Sequence, residues 1–172
     1  MTKTKKMVLL SFFAAGAIVL SIIESMFPVP LPIYGVKLGL ANIITIVLLY
    51  FFGIREALMV VCIRVFLSTL YGGGFVVFLF SITGGILSTL VMGFLMKVFF
   101  DRLSLSSVSV VGSIMHNLGQ LLVAGVVMKD FAVLGYLPVL MISGVIMGVF
   151  IGIISNFLIS SLKRINVFTI KP

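Results

Sequence analysis

Residues 24–42 read ESMFPVPLPIYGVKLGLAN, and the fold turns on how this stretch is read. An acid, Glu24, closes one apolar run; prolines follow at alternate positions, Pro28, Pro30 and Pro32; Lys37 and Asn42 then lead into the next apolar run. Proline lacks a donor N–H and drives the residue before it toward extended backbone. Residues 27–34 are therefore excluded from a helix and form a stiff, polyproline-like connector. With apolar sequence on both sides, the stretch reads as a rigid loop between two membrane spans. Glu24, Lys37 and Asn42 would be costly against lipid, so they are expected to face a cavity or one another.

The rest of the chain supports that reading. Of 172 residues, 62% are hydrophobic and 9% charged, and the mean hydropathy of +1.39 is beyond what a soluble domain covers with polar surface. At about 20 residues per helical crossing, the chain holds roughly six spans and no separate soluble domain. The expected architecture is an all-α membrane protein, one integral membrane domain over residues 1–172, with spans near 7–27, 38–53, 57–70, 75–100, 108–128 and 137–162. The N-terminal MTKTKK and the run after it lack a small-residue cleavage site before Glu24, so this segment reads as an uncleaved first span. A net charge of +8 raises nucleic acid as a partner. The cations sit at segment ends, however, with no basic tract interleaved with aromatics, and nucleic acid is excluded. Lys3, Lys5, Lys6, Arg55, Lys97, Arg102, Lys163, Arg164 and Lys171 fall on one face, and only Lys37 and Lys129 on the other. Both termini are therefore expected in the cytoplasm. The single cysteine, Cys62, excludes a disulfide framework and is expected to pack.

Three groups of side chains are candidates for chemistry. Arg64 lies inside a span, where an arginine is expensive and points into a bundle or wet cavity; Ser68 and Tyr71 follow at helical spacing. Arg64 reads either as a structural ion pair with Glu24 or as the binder of a ligand's carboxylate or phosphate. His116, Asn117 and Gln120 form a second group, read either as satisfied core or as facing a ligand; with no second histidine, a metal site is not expected. Lys37 and Asn42, at the mouth of the second span, would help make an outward pocket electropositive, with Phe27, Tyr34, Phe75 and Phe78 holding an apolar body. Gly72, Gly73 and Gly74 after Tyr71 form either a tight turn or, like the proline loop, a gating cover. Small residues in the first span, Ala14 and Ala17 among them, serve either internal packing or a docking face for a membrane partner. Gly144, Gly148 and Gly152 make a close-packing ridge in the last span.

Absences narrow the chemistry. There is no DDxxD-type acidic pair, no P-loop, no HExxH and no GxSxG, so metal-assisted prenyl chemistry and ATP use are not expected of this chain, and no cofactor is implied.

The pattern E24…P28-x-P30…G35-V-K37-L-G39-L-A41-N42, a short span with Arg64, a Gly-rich loop and H116-N117-L-G119-Q120 resembles the Gx transporter family, labelled heptaprenyl diphosphate synthase component I. That family resembles the substrate-binding S components of energy-coupling factor vitamin transporters. The resemblance covers about residues 7–162. It implies a six-helix S-component-like bundle with cytoplasmic termini, and a first helix that docks, in the region of Ala14 and Ala17, on a transmembrane coupling subunit driven by two ATPases. It also implies a pocket opening outward beneath the loops after spans one and three. The synthase label implies instead an enzyme subunit of isoprenoid quinone synthesis.

Three functions follow as expectations. The first is a subunit that captures a small, partly apolar anion, a quinone or isoprenoid precursor, at Arg64, Lys37 and His116. The second is a membrane component of a polyprenyl diphosphate synthase. The third, an independent ion-coupled carrier, is weakened because Glu24 is the only mid-membrane acid.

Overall fold

The computed structural model describes residues 2–26, 39–71, 74–99 and 102–165. Among them are six α-helices, α1 (Lys3–Met26), α2 (Asn42–Phe51), α3 (Ile54–Leu70), α4 (Gly74–Val98), α5 (Leu105–Met128) and α6 (Leu137–Arg164), with a 3₁₀ turn at Phe131–Tyr136 leading into α6. There is no strand among the described residues. In α1, α4, α5 and the segment Phe131–Arg164, apolar runs are long enough to cross a bilayer. The chain is thus a multi-pass helical membrane protein. Residues 27–38, 72 and 73, which carry Pro28, Pro30, Pro32, Lys37, Gly72 and Gly73, lie outside the described residues.

The architecture centres on α2. Its sequence NIITIVLLYF is apolar all round, and Asn42 through Leu49 are all buried; a helix with no polar stripe belongs in the interior. Helices α1, α3, α4, α5 and α6 all touch it, and their outer faces carry exposed Phe12, Phe66, Phe94, Val126 and Phe157, as lipid-facing surfaces do. The second span starts later than expected: α2 begins at Asn42 rather than near residue 38, after a turn at Gly39–Ala41. At ten residues it is about 15 Å long, half of a hydrocarbon core of about 30 Å. The turn before it therefore lies deep in the bundle. Gly39 has φ +87°, a conformation open to glycine and strained for other residues.

Helix α5 lies between α4 and α6, and glycines set both seams. Along α6, a Cβ on Gly148 would stand 2.5 Å from Val110 Cα, and one on Gly152 2.5 Å from Ser106 Cα. Gly144 faces Ile114 backbone at 3.4 Å. The pairs run 144–114, 148–110 and 152–106, so the two helices are antiparallel and approach almost to backbone contact along the expected ridge. On the other side, a Cβ on Gly119 would stand 2.9 Å from Gly84 Cα.

The cations gather at one end. Lys6 pairs with Glu56, joining the starts of α1 and α3. Lys163 donates to the Tyr50 hydroxyl and lies 4.5 Å over its ring, joining the ends of α6 and α2. Arg55 and Lys97 line one cavity at this end. Arg55 and Glu56 belong to the first turn of α3, which starts at Ile54 rather than residue 57.

Candidate functional site

In the half of the bundle away from the cations, polar side chains converge from several elements. Glu24, near the end of α1, is buried, and its carboxylate accepts the backbone N–H of Gly39. This contact follows from the short α2: a turn sunk into the bundle has a backbone donor with no water to satisfy it, and an acid is placed to do so. A Cβ on Gly39 would stand 2.9 Å from the Asn42 amide nitrogen and 3.5 Å from the His116 ring, so both lie on the same side of this glycine. His116 Nε2 is 3.1 Å from Gln120 Nε2, one helical turn on. The pair Gly84–Gly85 at mid-depth in α4 completes the group. A Cβ on Gly84 would meet the His116 carbonyl oxygen at 2.8 Å, and one on Gly85 would meet Arg64 Nη2 at 3.3 Å. Two consecutive glycines thus let α3 and α5 bring Arg64 and His116 against the same step of α4.

Arg64 is 3% exposed and lies within electrostatic reach of Glu24. Its Nε and Nη2 have no hydrogen-bond partner among the described residues, and neither do the amide nitrogen and oxygen of Asn42. A buried polar atom left unsatisfied costs about 1–3 kcal/mol. The Arg64 pair lies on one edge of the guanidinium against Gly85 of α4, and the Asn42 amide lies against Gly39. The ion pair with Glu24 is therefore not what occupies this edge of Arg64.

Other candidates are placed elsewhere. Asn117 turns toward α6: its Nδ2 donates to Leu140 carbonyl at 2.8 Å, and it lines an apolar cavity of about 140 Å³ between α5 and α6. It fastens two helices rather than joining His116. Ser68 is half-buried and donates to Val65 carbonyl at 3.3 Å. Tyr71 is exposed, so the polar stripe expected along Arg64, Ser68 and Tyr71 leaves the cluster after its first member. Gly74 starts α4 at φ +65° with open space around it. Phe75 and Phe78 stack at 6.4 Å, Phe75 exposed. Ala14 and Ala17 are buried with Phe13 and Ile44 in the chain's own core, and the outward face of α1 is made instead by Phe12, Ala15, Val19 and Ile23. The internal-packing alternative describes these two alanines. Cys62 is exposed rather than packed.

Gly39 and the Gly84–Gly85 pair were not among the binding residues expected from the sequence; Ser113, read as lying on the same side of its span as His116, and Ser109 have buried hydroxyls with no partner among the described residues. A glycine pair in mid-span facing the level of a buried arginine was the available signal. Among the described residues there is no group of three or more His, Cys, Asp or Glu able to hold a metal. A separate cavity of about 390 Å³ opens at the cationic end, between Phe52, Arg55, Glu56 and Lys97. There the Lys6 hydrogen bond holds the Glu56 carboxyl below its ordinary range.

The family model for heptaprenyl diphosphate synthase component I matches residues 13–158. The chain belongs to this family. The match covers every member of the cluster, from Glu24 to Gln120. Among curated proteins and among solved structures, nothing matches the chain.

Proposed function

We propose that this component I family member is the substrate-capture subunit of an uptake system, binding a small, partly apolar anion such as a quinone or isoprenoid precursor. It acts by binding rather than catalysis, in the cell membrane, with six spans and both termini in the cytoplasm, where the cationic end would lie. One observation carries the reading: a buried arginine in a membrane bundle presents two donors with no partner among the described residues. Polar groups kept in a membrane bundle at such cost are characteristic of ligand sites. The recessed start of α2 adds to this, because interrupted helices at membrane depth present backbone groups to bound ions and substrates. The parts expected of Lys37 and the proline loop fall outside the described residues. Energy would come from a transmembrane coupling subunit and ATPases, as the likeness to S components implies.

The family's description favours a second reading, a membrane component of a heptaprenyl or polyprenyl diphosphate synthase, with a soluble partner supplying the acidic motifs this chain lacks. Purification from native membranes separates the two. Co-elution of a coupling subunit and ATPases is the expected result. A soluble synthase in their place would establish the second reading and remove the first.

A further inference from the structure

Resting on the capture reading, we infer that the ligand met by Arg64 is a monocarboxylate with an apolar body and one neutral hydroxyl or amide group, and not a diphosphate. The two unpartnered nitrogens of Arg64, Nε and Nη2, share one edge of the guanidinium. Their N–H bonds run parallel, as the fork that takes both oxygens of a carboxylate or phosphate. Geometry admits either anion; charge selects between them. Among the described residues the charged side chains of the cluster are Arg64 and Glu24, and they cancel. A diphosphate would bring about three negative charges into a buried site that holds no surplus cation, where uncompensated charge is heavily penalised.

The acid that the cluster could offer a magnesium ion accompanying a diphosphate is Glu24, and its carboxylate is already engaged by the Gly39 N–H. A single carboxylate brings one charge, and both of its oxygens are met by the two N–H groups on that edge of Arg64. Asn42 offers one donor and one acceptor, which a hydroxyl or amide satisfies together and a bare hydrocarbon leaves unmet. Val61, which meets Gly85 beside Arg64 Nη2, puts an apolar surface next to the fork.

The test uses the full chain in lipid nanodiscs. Salicylate, cinnamate and decanoate are compared with their own amides, with geranyl diphosphate and with inorganic diphosphate, reading thermal melting and the ¹⁵N resonances of arginine Nε–H. At least one carboxylate is expected to raise the melting temperature saturably and shift one buried Nε–H signal, while its amide does neither. Arg64→Lys keeps the charge but removes the fork, and should weaken that binding by roughly tenfold or more. Saturable stabilisation by geranyl diphosphate alone, lost in Arg64→Lys, would overturn the carboxylate class and leave anion capture standing. Carboxylate binding indifferent to Arg64→Lys would overturn both, and so would the absence of binding by any probe. If the variant does not fold, the wild-type signal decides: no Nε–H shift with any carboxylate overturns the inference.

Discussion

Arg64 and Glu56 show how position decides what a charge does in this chain. Glu56, at the cationic end, is partly exposed and bonded to Lys6; Arg64, in the interior, keeps two donors unpartnered. The first pair is open to titration. Because the Lys6 hydrogen bond lowers the folded-state pKa of Glu56 below its ordinary 4.5, the stability it contributes is complete above that value and is lost as pH falls through the lowered one. The pair is solvent-screened, so the contribution is under about 1 kcal/mol. Glu56→Gln should lower stability at neutral pH by less than about 1 kcal/mol and flatten the acid limb of the profile below about pH 5, where the two proteins converge. An identical acid limb in thermal melts of the variant would show that the pair contributes nothing.

The α5–α6 hairpin is the element whose packing the sequence states most openly, through glycines at 144, 148 and 152. In Gly148→Ala the new methyl carbon would fall 2.5 Å from Val110 Cα, a backbone atom that cannot turn aside. Overpacking of this kind costs about 1–3 kcal/mol. Gly135→Ala, with nothing within 4 Å, should change stability by less than about 0.5 kcal/mol. Equal melting of the two variants in detergent would contradict the seam. Elements of this sort were legible because a four-residue glycine repeat reports only local helix geometry and one neighbour. The start of α2 was not. Leu38 to Ala41 continue an apolar run, so hydropathy extends the span through them. Only the tertiary contact of Gly39 with Glu24, together with a backbone dihedral, shows that the helix begins at Asn42. The face of α1 carrying Ala14 and Ala17 escaped for a related reason: small residues favour close approach but do not say whether the neighbour belongs to the same chain.

At the scale of the whole molecule, composition and the distribution of cations were enough to establish a helical membrane protein with its positive residues gathered at one end. The convergence of Arg64, His116, Asn42 and Glu24 was only partly foreseeable. Each is a costly polar residue in apolar sequence, but Tyr71, Ser68 and Asn117 carried the same signal: the first two share the helix face of Arg64 and lie further toward the exposed end of α3, and Asn117 is turned to α6. What separates the two sets is proximity to the step at Gly84–Gly85, which depends on how α3 and α5 pack on α4. The central claim is that this buried cluster exists to hold an anion. It is tested most directly by mass spectrometry of the small molecules retained by protein purified from its native membrane, wild type beside Arg64→Ala. An organic anion enriched on the wild type and absent from an equally well-folded Arg64→Ala protein is the predicted result. The same retained anion on both proteins, or none on either, would contradict it.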